Sequence, residues 1–146
     1  MDMIEKFSSR EEANKKVKEM LANKDKIMGF GHAVYTNEDP RNKITKALSK
    51  KLGESSGNSL LYEVSEEVEK VMDEEKGLFA NVDFYMASAY HYLGIPTPIF
   101  TPLFVIGRTS GWVSNVMEQR ADNRIIRPSE EYTGPDKSDW VDMSNR

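Results

Sequence analysis

The sequence predicts an all-α fold on three observations. Apolar residues recur three or four positions apart through most of the chain, capping residues and helix-stopping glycines punctuate those runs, and no stretch alternates convincingly as a strand. Ser8 and Ser9 precede Glu11 and Glu12 at the spacing of a capping box, and Ala13, Val17, Leu21 and Ala22 mark one face, so a first helix is expected over about residues 10–23. Between Ile27 and Asp39 the period is broken by Gly29, Gly31 and a Thr-Asn-Glu-Asp turn. Asp39 can then cap, and Pro40 open, a second helix ending near Gly53. Past a turn-rich Glu-Ser-Ser-Gly-Asn-Ser loop, Leu61, Val64, Val68, Val71 and Met72 line a strongly acidic helix whose other face should be wet. Asn81-Val82-Asp83 introduces a fourth helix, with Phe84, Ala87, Tyr90 and Tyr92 among its apolar residues, stopped by Gly94 before a proline-rich connection. Thr101 and Pro102 suit the cap and first turn of a last helix. Its first two turns are apolar almost all round, which implies burial on most sides, more than so short a chain can supply. After Gln119 the sequence becomes a polar tail with few periodic positions.

A chain of 146 residues has enough length for one real core. With 38% hydrophobic and 30% charged residues it has the composition of a soluble protein, and no apolar run approaches the ~20 residues needed to span a bilayer, so no membrane partner is expected. The first residues lack an apolar stretch behind a basic cluster, which makes the cytoplasm the expected compartment, and the absence of cysteine removes disulfide and thiolate chemistry. A net charge of -4 argues against nucleic acid as a partner, although a local group of arginines can still hold a small anion.

One of only two histidines, His32, sits between Gly31 and Ala33 in a loop. It is either tied down by hydrogen bonds or open to a ligand that approaches backbone and imidazole together. His91, near a helix end, reads as a C-terminal cap or a partly buried polar residue. Gly29-Phe30-Gly31 lacks the preceding strand and third glycine of a dinucleotide fingerprint, but could leave backbone groups open to a base or phosphate. Asp39-Pro40-Arg41 is a helix start in which Arg41 opposes the helix dipole, so that a bound anion would explain it. Asp83 can be an N-terminal helix acid and no more. Arg108 interrupts an apolar segment, where a buried charge costs several kcal/mol unless paired. Arg120, Arg124 and Arg127 lie in the polar tail, and Lys43, Lys46, Lys50 and Lys51 read as a solvated helix face.

Taken together, GFGHAVYTNEDPR (29–41), NVDFY (81–85), FTPLFVIGRTSGW (100–112) and DNRIIRPSEEYTGP (122–135) resemble, in order and spacing, the C-terminal third of citrate synthases. The IIRP tail and the DPRNK segment look most like bacterial 2-methylcitrate synthases; the lyases that cleave citrate with ATP share a similar glycine-histidine loop. The resemblance implies an acyltransferase that joins acetyl-CoA or propionyl-CoA to oxaloacetate and then hydrolyses the thioester. It makes His32 the group that holds and polarises the oxaloacetate carbonyl, and Asp83 the base that deprotonates the acyl-CoA. It makes Arg41, Arg108 and Arg127 the clamp on the oxaloacetate carboxylates, with Arg127 reaching a neighbouring subunit's site. The main chain of Ile27, Met28, Gly29, Phe30 and Gly31 would receive the adenine of CoA.

The same resemblance implies no tightly bound cofactor and no metal, CoA thioester being a substrate. Residues 1–100 would be a small helical CoA-binding domain, and 101–146 the terminal helix and tail of a large domain. The family's second histidine, in an LHGGAN-like motif, is not in this sequence, and neither is a substrate-binding histidine that lies earlier still. The chain therefore reads as a fragment, inactive alone, of an enzyme that is a homodimer or higher homo-oligomer when complete. The competing reading is a helical module that binds CoA or another protein and does no chemistry.

Overall fold

The computed structural model describes residues 1–137 and 139–146, and the fold is all-helical. Five α-helices follow in order: α1 (Arg10–Ala22), α2 (Asn42–Ser56), α3 (Leu60–Lys76), α4 (Val82–Tyr92) and α5 (Phe100–Ala121), with short 3-10 turns at Ile4–Lys6, Thr97–Ile99 and Met143–Asn145. Among the described residues the β-structure is a single antiparallel bridge between Phe30 and Ala80. The chain divides into two compact units, Met1–Arg108 and Thr109–Arg146. No helix among the described residues is long and apolar enough to cross a membrane.

The capping box at α1 forms as its spacing requires: the Glu12 amide donates to Ser9 Oγ at 3.2 Å, while the Ser8 amide and hydroxyl donate to the Glu12 carboxylate at 2.8 and 2.6 Å. Its apolar face, Ala13 and Val17, joins Val64, Val68, Val71 and Met72 of α3 and Phe84 and Tyr85 of α4 in one buried core. Each large side chain removed from water there contributes about 1.5–3 kcal/mol.

Two boundaries differ from the sequence reading. The second helix starts at Asn42, after Pro40 and Arg41 have formed a turn, and runs through Gly53 to Ser56, where Gly57 at φ +73° ends it. Gly53 is a packing glycine instead of a stop: a Cβ there would lie 3.1 Å from the Tyr92 hydroxyl. The last helix begins at Phe100, continuing the Thr97–Ile99 turn, so Thr101 and Pro102 lie inside it and are not its cap and first turn. None of its residues is buried.

Polar contacts tie the helices of the first unit together. The buried hydroxyls of Ser49 on α2 and Ser88 on α4 are 2.7 Å apart. The Glu69 carboxylate on α3 accepts from Tyr85 Oη of α4 and Lys46 Nζ of α2, both at 2.6 Å, and from Asn42 Nδ2 at 3.2 Å. Lys46 is thus not part of a freely solvated lysine face; it turns inward and also lies over the Tyr85 ring. Burial pushes the Tyr85 phenol far above its usual range, and pushes that of Tyr62 up to about 12.

Candidate functional site

The loop that carries the glycines is pinned to the start of α4. The Asn81 amide donates to Gly29 O at 2.9 Å and the Gly31 amide to Phe79 O at 2.8 Å, forming the Phe30–Ala80 bridge. In a bridge of this kind the polar groups of the paired residue itself, Phe30, face away from its partner. Asn81 then serves both sides: its Nδ2 donates to Gly31 O at 3.1 Å, and its Oδ1 accepts from the Asp83 amide at 3.1 Å, which caps α4. Gly29, at φ +93°, lies directly on Phe84, and a Cβ on it would come within 2.9 Å of Phe84 Cδ2. Only glycine satisfies both the conformation and the approach.

His32 follows this clamp. Its Nδ1 accepts from the Val34 amide at 3.0 Å and the Tyr35 amide at 3.1 Å, so the ring proton sits on Nε2. One nitrogen is tied into the loop, and the residue is exposed. Its Nε2 is 3.5 Å from Nη2 of Arg41. Two N–H donors side by side have nothing to offer each other, but together they suit two adjacent acceptor oxygens.

Arg41 is held by Asp39, whose carboxylate is buried. Oδ1 accepts from Arg41 Nε at 2.9 Å and from the Arg41 amide at 3.0 Å; Oδ2 accepts from Arg41 Nη2 at 2.8 Å and from the Val82 amide of α4 at 3.0 Å. The four donors match the four lone-pair positions of an ionised carboxylate. The Arg41 side-chain hydrogen bonds hold the Asp39 carboxyl down at about 2, against the effect of burial. Arg41 therefore already has a local carboxylate partner, and a bound anion is not needed to account for its position at a helix start. In turn Asp39 raises the pKa of Arg41, burial opposes this, and the charges of Tyr35 and Asp83 add to the rise.

Asp83 is exposed in the first turn of α4. It opens onto a cleft of about 740 Å³ whose α4 wall includes Asp83, Met86, Ala87 and Tyr90, at i, i+3, i+4 and i+7 on one helix, together with Val82 and Phe84. Met28 and Gly29 supply a facing part of the lining. Ile27 packs against the core instead.

The structure thus brings His32, Arg41, Asp83 and the Ile27–Gly31 loop into one region. Arg108, at the end of the first unit, is exposed and not buried; its guanidinium lies 5.0 Å over the Phe104 ring, so no buried charge requires an anion there. Arg127 is exposed and belongs to the second unit. His91 pairs with Glu5 at 3.1 Å. No group of three or more His, Asp or Glu side chains among the described residues is placed to hold a metal. Asp39 and Asn81 organise the region, yet in the sequence each reads only as a helix cap; their long-range partners, Val82 and Gly31, lie 43 and 50 positions away.

Residues 1–129 match the family model for the citrate synthase C-terminal domain. The chain is 48% identical over its whole length to 2-methylcitrate synthase of Shewanella oneidensis and 46% identical to citrate synthase 2 of Bacillus subtilis, and it spans 39% of the length of each of these curated relatives. Among solved structures it is similar to citrate synthase from Thermotoga maritima (TM-score 0.77, 35% identity, 99% of this chain and 40% of that one). It is also similar to the Thermoplasma acidophilum citrate synthase in ternary complex with carboxymethyl coenzyme A and oxaloacetate (TM-score 0.79, 29% identity, 97% of this chain and 39% of that one).

Proposed function

The chain belongs to the citrate synthase family, and on that premise we propose that it supplies part of an acyltransferase site that joins the α-carbon of acetyl-CoA or propionyl-CoA to the ketone carbon of oxaloacetate. One observation carries this reading: His32 Nε2 and Arg41 Nη2 stand 3.5 Å apart as paired donors. The ketone oxygen and neighbouring carboxylate of an α-keto acid present two acceptors side by side in the same way.

In this reading Asp83 takes a proton from the carbon next to the thioester, and the resulting enol or enolate carbon forms the new bond to the ketone carbon. Negative charge then develops on the former ketone oxygen, where the His32 Nε2–H stabilises it. Water afterwards cleaves the thioester and releases the CoA thiol. Arg41 binds one carboxylate with the N–H groups that Asp39 does not use, Arg108 adds to the clamp, and Arg127 reaches the site of a neighbouring subunit. The Ile27–Gly31 backbone receives the adenine of CoA. Residues 1–100 act as the CoA-binding domain, and 101–146 as part of a second, larger one within a homodimer or higher homo-oligomer located in the cytoplasm.

The 146 residues alone do not turn over, because the second histidine that the family resemblance assigns to the enolisation step is not among them. The test is release of free CoA thiol from oxaloacetate with either acyl-CoA. The isolated chain is compared with a chimera in which all 146 residues replace the matching segment of the Shewanella oneidensis enzyme. The chimera should turn over and the chain alone should not; robust turnover by the pure chain, or an inactive but folded chimera, would count against the reading.

A further inference from the structure

Asp39 touches no proposed substrate atom, yet its carboxylate is bonded both to Arg41 and to the start of the helix that carries Asp83. Two of its four hydrogen bonds come from the guanidinium of Arg41 and one from the Arg41 amide, while the fourth comes from the Val82 amide, one residue before Asp83. The loop that bears Asp39 and the helix that bears Asp83 are 43 positions apart in sequence, so this link is tertiary. Being buried, the carboxylate has no water to exchange these donors for, and with all its lone pairs committed it has little freedom to shift.

We propose that Asp39 is a positioning residue: by gripping Arg41 with both carboxylate oxygens and the N-terminus of α4 with one of them, it fixes the distance between the carboxylate-binding arginine and the base. This rests on the roles proposed above for Arg41 and Asp83. Its consequence is that both oxaloacetate binding and the chemical step depend on a side chain that contacts neither substrate. A misplacement of about 1 Å is enough to cost roughly 10²-fold in rate.

The two grips can be severed separately in the chimera. Asp39→Asn loosens both, and should raise the oxaloacetate KM about tenfold while lowering kcat about 10²-fold. An amide-to-ester replacement at Val82 deletes one N–H without adding bulk and leaves the Arg41 contacts in place. It should lower kcat by a similar factor while the oxaloacetate KM stays within about twofold. A purely structural Asp39 would lower Tm and leave this KM-against-kcat split absent.

In the isolated chain, NMR gives a readout that needs no turnover: Asp39→Asn should shift both the Arg41 Nε–H and Val82 amide signals, whereas the Val82 ester should leave the Arg41 signal unmoved. If the parent chimera is active and Asp83→Asn abolishes turnover, but both Asp39→Asn and the ester behave as the parent, the inference is overturned and the functional reading survives. If Asp83→Asn retains full activity, the functional reading itself fails. Arg41 and Val82 signals unchanged by Asp39→Asn would also overturn the inference.

Discussion

Asp39 and Gly29 show how much of the site rests on single residues whose long-range partners, Val82 and Phe84, a sequence reading does not supply. The Asp39 carboxyl is held at about 2 by its Arg41 hydrogen bonds, below its ordinary value of 3.8. A depressed folded-state pKa means that the stabilisation is fully present above the unfolded value and is lost as pH falls through the folded one. Urea melts should therefore show the chain losing of the order of 1–2 kcal/mol from this group between about pH 4 and pH 2, with a flatter profile over that range in Asp39→Asn. Gly29→Ala combines a left-handed backbone with a 2.9 Å approach to Phe84, and should cost about 2–4 kcal/mol. Gly57→Ala meets open space at φ +73°, so it should cost only about 1–2 kcal/mol in the same melts. The glycines of the loop were visible in the sequence as breaks in period; which of them also touches another helix was not, since Phe84 is far along the chain.

At the level of elements, the capping box, the Asn81 cap and the apolar stripes of α1 and α3 were legible because each depends on residues within a turn or two of one another. The end of α2 was not, because Gly53 stops a helix in most contexts and here serves the packing of α4. That packing makes a specific outcome expected: Gly53→Ala should destabilise the chain by about 1 kcal/mol despite alanine's better helix propensity. The reason is that Tyr92, 3.1 Å from the added methyl, is held by a 3.0 Å hydrogen bond from the Tyr62 amide and cannot simply swing aside. Tyr85→Phe removes one of the three donors on Glu69 and should cost about 1–2 kcal/mol by thermal or urea unfolding, since α2, α3 and α4 meet at that carboxylate.

For the whole molecule, α5 carries Ile106, Trp112, Val113, Val116 and Met117 on the surface, and such exposed apolar side chains favour association. Sedimentation of the isolated chain should depend on concentration, and Val113→Glu with Val116→Glu should weaken that dependence. The fold class and the convergence of His32, Arg41 and Asp83 were within reach of the sequence through four separated motifs. The exposure of α5 was legible as well, since its first two turns are apolar almost all round and so short a chain has too few residues to surround them. The most direct test of the account is the rate of CoA thiol release by the chimera and by its His32→Asn, Arg41→Lys and Asp83→Asn variants. Each variant should fall by about 10² or more while remaining folded by circular dichroism; a folded variant of His32 or Asp83 that keeps the parent rate would contradict it.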